Sequence, residues 1–380
     1  MKVLIYGGSF DPPHREHIRM LGAALRLARP ERAYIIPARR SPLKPGCRAS
    51  GSDRLAMIRA AMDAALPPTL GRRVSLSTFE LRRDRPSYTY ETLRHFHRLH
   101  PRAELLFLAG SDSLETFARW KRPRELRALA RFLIGRRLGS RLRRRGLLPR
   151  FDLLPGAFRD VSSTDIRAGL LASNAPAGLH PAVLRIIRQR KLYGLDIQHR
   201  LSKELGPVRF RHTMSVARCA LDLARRHGLD RERAALAGVL HDCGRAVPAA
   251  RMAAYARRRR LRVPELDTIA QRQPLLLHSF ISADRARRVY GVRDETVLGA
   301  IRAHTLGSAR MGALERLIYT ADLCSDDRAF AEAAAVRRAA RSGLSKGYQE
   351  ALRVKLADVL RRRAWMHSSA AAVWNGAFWT

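Results

Sequence analysis

The stretch "KVLIYGGSFDPPHREH", residues 2–17, decides how the first half of the chain folds. Its opening, "KVLIYG", is an apolar, β-branched run of strand length. Two glycines, two prolines and two histidines then share one turn, after which Ile18, Leu21, Leu25 and Ala28 recur at helical spacing. A strand that enters a helix through a glycine-rich turn is suited to hold phosphate. Gly7 and Gly8 let backbone N–H groups approach an anion, and the helix N-terminus adds its dipole. Pro12 and Pro13 stiffen the approach, while His14 and His17 flank the helix start and can both donate to one phosphoryl group. Two surface histidines on a rigid proline turn are the plainer reading of the same residues.

Working outward, apolar runs and amphipathic stretches continue to alternate. "RAYIIPA" (32–38), "RVSLSTFEL" (73–81), "AELLFLAGSDS" (103–113), "RFLIGRR" (131–137) and "FDLLPG" (151–156) read as further strands. "SDRLAMIRAAMDAAL" (52–66), with Ser52 as N-cap, and "SYTYETLRHFHRLH" (87–100) read as helices between them. Such alternation predicts a Rossmann-like α/β domain with a parallel sheet, whose ligands sit at the carboxyl ends of the strands. Beyond Tyr193-Gly194 the period becomes helical throughout, in "HTMSVARCALDLARRHGL", "DRERAALAGVLHD", "HSFISADRARRVYG", "DETVLGAIRAHTL" and "ALERLIYTADLC". The expected division is therefore an α/β domain over residues 1–194 and an all-α domain over 195–380.

With 380 residues and 46% hydrophobic content, the chain can bury two ordinary cores. No run approaches the roughly 18 apolar residues of a membrane span, and the N-terminal run reads as a strand rather than a signal peptide. Cys47, Cys219, Cys243 and Cys324 lack paired spacing, which fits a reducing cytoplasm better than a disulfide framework. The net charge of +40 is carried mostly by arginine spread along the whole chain. The densest basic stretch, "RRLGSRLRRRGLLPR" (136–150), lacks aromatics for base stacking, so nucleic acid is not the expected partner. Polyanionic small molecules need no such feature. A homo-oligomer is compatible with all of this.

Three more places in the first half offer anion or ring contacts. "VSSTDIRAGL" (161–170) gathers the hydroxyls of Ser162, Ser163 and Thr164 at a helix start, with Arg167 one turn along, although a capping run beside a solvated arginine fits equally. Lys44 lies on the loop after the second strand. Asp112 follows the "LLFLAG" strand and can accept hydroxyls, and Trp120 offers either an exposed indole for stacking or a core ring.

Seven segments in order, "GGSFDPPHREH", "IIPARRSPLK", "RPSYTYETL", "LLFLAGSDSLETFARWKRPREL", "RFLIGRR", "VSSTDIR" and "HPAVLRIIRQRKLYG", resemble the bacterial nicotinate-mononucleotide adenylyltransferases of the nucleotidyltransferase superfamily. That resemblance implies an enzyme of NAD biosynthesis that joins ATP, carried with Mg²⁺, to nicotinate mononucleotide. By it, His14 and His17 hold the ATP phosphates and stabilise the transferring group, with Lys44, Ser163 and Arg167 on the phosphate chain. Gly110 and Asp112 contact the adenosine, and Trp120, Tyr88 and Thr89 face the nicotinate. Gly7, Gly8, Ser9, Phe10, Arg136, Ser162 and Thr164 complete the implied nucleotide-binding set. Glu16 departs from the family, which usually has a small residue between the histidines. Its carboxylate would crowd or repel the nucleotide unless it points away, with Arg15 and Arg19 as candidate partners.

In the second half, His212, the pair His241-Asp242, His278, His304 and Asp322 form a dispersed histidine–aspartate set suited to a borderline divalent metal such as Fe, Mn or Zn. The sequence expects His212 at the start of its helix and His241-Asp242 at the end of another. Caps and satisfied core histidines are the alternative for any single member. The stretches "RFRHTMSVARCALDLARRHGL", "AALAGVLHDCGR", "LLLHSFISA", "AIRAHTLG", "LIYTADLCSDDR" and "WMHSSAAAVWNG" resemble the HD superfamily of metal-dependent phosphohydrolases. Within it they are most similar to the symmetrical diadenosine tetraphosphate hydrolases, which hold a two-iron centre. By that resemblance His212, His241, Asp242 and Asp322 ligate one metal, and His278 and His304 complete a second. Arg245 stands where the family commonly has lysine. Together the two resemblances imply a fusion enzyme whose partners are ATP, nicotinate mononucleotide and dinucleoside polyphosphates. Two other readings stay open at this point: an HD half that only binds a regulatory nucleotide, and a basic nucleic-acid-associated protein.

Overall fold

A computed structural model describes residues 1–42, 46–139, 147–173 and 176–379. Its contacts divide the chain into one unit of Met1–Ile166 with Ala177–Tyr193, and a second of Arg167–Pro176 with Gly194–Thr380. Ala168, Leu171 and Ala172 are buried in the core of the second unit. Gln198 Nε2 fixes them there by donating to the Leu170 and Leu171 carbonyls at 2.8 and 2.5 Å.

The first unit is built on six parallel strands: β1 (Lys2–Gly8), β2 (Arg32–Pro37), β3 (Val74–Leu76), β4 (Glu104–Gly110), β5 (Arg131–Gly135) and β6 (Phe151–Leu153). Every expected strand is present. Their order is β3-β2-β1-β4-β5-β6. The order of strands therefore reverses between β1 and β4, and in such sheets the carboxyl ends of the strands at this switch point are where a ligand crevice is expected. Central strands read as continuous apolar runs because helices cover both faces. Val3, Leu4 and Ile5 of β1 and Leu105–Ala109 of β4 are buried accordingly. One face packs Tyr90, Leu93 and Phe96 of helix Thr89–Leu99 against Phe107 and Phe132. The second helix begins earlier than the sequence suggested. Ser50, not Ser52, is its N-cap, since Ser50 has extended backbone and its hydroxyl accepts from Asp53 N at 3.1 Å.

The described residues of the second unit are helical. Helices Pro207–Arg226, Arg231–Leu240, Glu295–Ala303, Ala313–Cys324 and Leu344–Arg361 surround a core of Val216, Leu240, Ile301, Leu317, Ile318 and Leu352. His212 lies inside its helix rather than at the start, because Pro207 opens the helix more than a turn earlier. Cys219 and Cys324, far apart in sequence, are free thiols with Sγ atoms 3.4 Å apart. No helix among the described residues is long and apolar enough to cross a membrane.

Candidate functional sites

In the first unit the turn after β1 is pinned from several sides. Asp11 is buried, and its carboxylate accepts from Arg48 N (2.7 Å), Ala49 N (3.1 Å) and the Tyr193 hydroxyl (2.7 Å). Buried Arg54 donates to the Ser9 and Ala38 carbonyls, both at 2.8 Å, tying the turn to the end of β2. Phe10 takes φ of 48° and packs its ring edgewise on Tyr6 and His17. His14 becomes the N-cap of helix Arg15–Ala28, its backbone N–H donating to His17 Nδ1 at 3.1 Å. The two imidazoles stack with centroids 3.5 Å apart. The turn thus presents both histidines together at the carboxyl end of β1, at a helix N-terminus.

Glu16 is buried within this helix start rather than exposed. Its carboxylate receives both Arg19 bonds (2.7 and 2.9 Å) and the Arg159 backbone N–H (3.1 Å). A carboxylate saturated in this way is already partnered by a cation, so little of its charge is left to oppose an anion. Of the two partners expected, Arg19 makes the pair, while Arg15 Nε donates to the Leu179 carbonyl at 3.1 Å; the burial was not legible.

Other expected residues fall into place unevenly. Ser162 caps helix Ser163–Ser173, accepting from Asp165 N at 3.0 Å, and Ser163 Oγ donates to the Pro12 carbonyl at 2.9 Å, so this helix start joins the histidine turn. Thr164 is exposed beside them. Gly110 ends β4, where any Cβ would lie 2.5 Å from Asp112 Oδ1, so only glycine allows the aspartate to fold back over the strand end. Asp112 stays half-exposed and 3.5 Å from the Arg137 guanidinium. Arg136 is exposed. Trp120 packs on Phe107, Phe117 and Phe132 and donates to Thr116 Oγ1 at 3.3 Å, which makes it largely a core ring with one half-buried edge. Tyr88, the N-cap residue before Thr89, carries Lys121 Nζ over its ring at 4.6 Å. Arg167 belongs to the second unit and forms a bidentate pair with Glu232, both contacts 2.8 Å. Lys44 lies outside the described residues.

The second unit gathers all six expected metal-binding residues. His241 caps the C-terminus of helix Arg231–Leu240, His278 opens helix His278–Arg288, His304 ends helix Glu295–Ala303, and Asp322 lies in helix Ala313–Cys324. Potential ligand atoms of His212, His241 and Asp242 lie within 4.8 Å of one another, as do those of Asp242, His278 and His304. Asp242 is common to both groups. Its Oδ2 is 3.8 Å from His241 Nε2, while Oδ1 is 3.2 and 3.9 Å from His278 and His304 Nε2. Asp322 Oδ1 adds to the first group, 3.1 Å from His212 Nε2 and 4.0 Å from His241 Nε2. Gly244 permits this convergence: a Cβ there would meet the His278 carbonyl at 2.4 Å, so a larger residue would push the His-Asp turn off the helix bearing His278.

The imidazoles are oriented from behind. His241, His278 and His304 each place Nδ1 2.6–2.7 Å from a backbone carbonyl three residues earlier, of Gly238, Leu275 and Ile301. A carbonyl only accepts, so each Nδ1 carries a proton and each ring turns its Nε2 inward. His212 Nδ1 is held likewise by Asp327 at 2.8 Å. Two consequences test whether a cation fits. His241 Nε2 is buried with no hydrogen-bond partner. His278 and His304 Nε2 lie 3.0 Å apart, with one Thr305 hydroxyl 3.1 Å from each, so the two nitrogens converge on one point. Such a donor set suits a divalent metal. Burial opposes ionisation of Asp242 and Asp322, yet the surrounding imidazoles and cations hold both carboxyls well below the usual range. Burial, then the neighbouring histidines, keep His304 neutral.

Cations border the same site. Arg209 donates to Asp242 Oδ2 at 2.7 Å, Arg245 Nε lies 3.6 Å from Asp242 Oδ1, and Arg328 donates to Asp322 Oδ1 at 2.8 Å. Arg209 and Arg328 remain 43% and 37% exposed, enough to meet an anionic ligand. Sequence reading missed both, and Asp327 with them. Arg209 could have been found one turn before His212 on the same helix face, and Asp327-Arg328 just after the Asp322 helix.

Two family models match separate parts of the chain. Residues 5–169 match the family described as cytidylyltransferase-like, and residues 209–363 match the HD domain. The chain is 30% identical over 321 residues to a Mycoplasma pneumoniae protein named "Probable nicotinate-nucleotide adenylyltransferase/Ap4A hydrolase", covering 84% of this chain and 87% of that one. A Chlorobium luteolum protein named "Probable nicotinate-nucleotide adenylyltransferase" is 37% identical over 202 residues, 51% of this chain and 98% of its own. Among solved structures, an HD superfamily hydrolase involved in NAD metabolism from Clostridium acetobutylicum is 28% identical, covers 48% of this chain and 95% of its own, and gives a TM-score of 0.45.

Proposed function

Because the chain belongs to the family of fused nicotinate-nucleotide adenylyltransferase/Ap4A hydrolase proteins, we propose that one polypeptide catalyses two nucleotide reactions, one in each unit. The first unit transfers AMP from ATP to nicotinate mononucleotide. A phosphate oxygen of the mononucleotide attacks the α-phosphorus of ATP, the α–β anhydride bond breaks, and deamido-NAD and pyrophosphate leave. No protein nucleophile is needed, so catalysis consists of positioning and of neutralising charge on the transferring group. The observation that carries this reading is the stacked pair His14 and His17 at a helix N-terminus by the β1–β4 switch point. The imidazoles and the helix dipole hold the phosphates, Ser163 stands beside them, and Mg²⁺ arrives with ATP. Gly110 and Asp112 border the adenosine side, and the half-buried edge of Trp120 with Tyr88 the nicotinate side.

The second unit hydrolyses a phosphoanhydride, with diadenosine tetraphosphate going to two ADP. Its carrying observation is the Asp242 carboxylate shared between two groups of inward-facing Nε2 atoms. His212, His241, Asp242 and Asp322 would hold one divalent ion, and Asp242, His278 and His304 a second; iron suits such mixed nitrogen and oxygen donors. When bound, two such ions supply Lewis acidity and a more acidic water at neutral pH. Arg209, Arg245 and Arg328 then draw the polyphosphate to the centre and fix its orientation.

Full-length protein incubated with ATP and nicotinate mononucleotide should release pyrophosphate; its absence would defeat the first assignment. The same preparation loaded with Fe²⁺ or Mn²⁺ should convert diadenosine tetraphosphate to ADP alone. Products of AMP and ATP, or a protein that neither takes up metal nor hydrolyses, would overturn the second.

A further inference from the structure

Helix Leu344–Arg361 carries a side chain into the metal-binding region that belongs to none of the histidine–aspartate motifs. Lys355 Nζ lies 3.8 Å from Asp322 Oδ2, donates to the His304 carbonyl at 2.7 Å, and sits 3.8 Å over the Tyr319 ring. Tyr319 and Asp322 are three residues apart on one helix and therefore share a face, which receives the ammonium. The Lys355 side chain is 23% exposed, so a charge is held there by three specific partners rather than by solvent.

We propose that Lys355 is a positioning residue of the metal centre, acting on both of its halves at once. Asp322 has one oxygen for each side. Oδ1 faces His212 and His241, and Oδ2 faces Lys355. The ammonium thereby selects which oxygen is offered inward, as the backbone carbonyls select Nε2 of the histidines. Its bond to the His304 carbonyl holds the end of helix Glu295–Ala303, from which His304 reaches Asp242 and His278. One cation from a late helix thus links the Asp322 side of the site to the His304 side. Tyr319 favours a cation over a neutral group at this point.

The proposal rests on the reading of this unit as a metal centre, and its test separates the two. Full-length protein is titrated with Co²⁺, following affinity by chelator competition and coordination geometry by visible absorption. Lys355→Met keeps the stem and removes the charge; Lys355→Gln also keeps a donor for the His304 carbonyl. Both should bind Co²⁺ about 10- to 100-fold more weakly, the usual effect of losing an outer-shell partner. Both should also alter the absorption envelope as Asp322 turns, and Lys355→Arg should recover part of the affinity. If Lys355→Met does not give a cooperative melt, Lys355→Gln carries the test. A folded variant with wild-type affinity and spectrum overturns the role of Lys355. Equal losses in the Met, Gln and Arg variants with an unchanged spectrum overturn it too, assigning the residue to packing. Wild-type protein that takes up no Co²⁺ overturns the metal reading itself.

Discussion

The histidine turn and the candidate metal site, both proposed above to act on phosphate, are built by opposite routes. In the first unit the key atoms come from one turn of chain, residues 7–17, between a strand and the helix it enters. Backbone geometry does most of the work: glycines, a helix N-terminus and two side chains one turn apart. In the second unit the six candidate ligands come from five helix segments spread between His212 and Asp322. There each imidazole needs its own carbonyl or carboxylate behind it. A local site tolerates change in the surrounding fold, whereas a dispersed one is only as good as the packing that brings its helices together.

Substitutions should therefore act on one region at a time. The largest effect is expected from Asp242→Ala, which removes the carboxylate common to both ligand groups. Metal uptake and hydrolysis should fall to background while pyrophosphate release is unchanged; retained hydrolysis would show that the two groups do not share Asp242. His17→Ala should lower kcat for adenylyl transfer by about 10²–10³-fold, the usual cost of one preorganised donor. Hydrolysis should not move, and a transferase that keeps its rate would remove His17 from the phosphate site. Asp327→Asn should weaken metal affinity by roughly 10- to 100-fold through loss of orientation at His212. Metal competition checks it, and wild-type affinity would confine Asp327 to capping the Ser325 turn. The smallest effect is expected from Glu16→Gly. Thermal or urea unfolding should show a loss of about 2 kcal/mol, from buried charge-assisted bonds to Arg19 and Arg159. Adenylyl transfer should not rise; a gain in kcat/KM would mean that Glu16 does crowd the nucleotide.

The contrast also explains what could be read in advance. All six strands and their parallel arrangement were legible, since buried parallel strands are short apolar runs separated by helical periods. The six metal candidates could be named in advance because histidines and aspartates stand out in otherwise apolar helical runs, at helix ends for His241, Asp242, His278 and His304 and within helices for His212 and Asp322. Ser52 was the wrong cap by two positions in the same "SGS" run, as cap geometry depends on which residue keeps extended backbone just before the helix. Trp120 read equally as a stacking ring or a core ring, and packing on three phenylalanines decided mostly for the core. Arg167 looked like a phosphate ligand from its place after "SST", yet its partner Glu232 lies 65 residues downstream. Arg209, Asp327 and Arg328 lie close in sequence to expected ligands but are hard to single out in a chain where arginine is everywhere, and Lys355 lies 33 residues beyond Asp322 with no motif around it.

The sequence by itself determined the two-part organisation, the parallel sheet, the histidine turn after β1 and the identity of the candidate metal-binding side chains. Those features depend on neighbours within a few residues: apolar period, glycine and proline placement, and residue chemistry. Tertiary structure alone decided that Asp242 serves both ligand groups, which nitrogen each histidine turns inward, that Glu16 is neutralised, and that Lys355 meets Asp322. Each of these is a distance between residues remote in sequence, set only when helices pack against one another and burial makes an unpaired charge or lone pair costly.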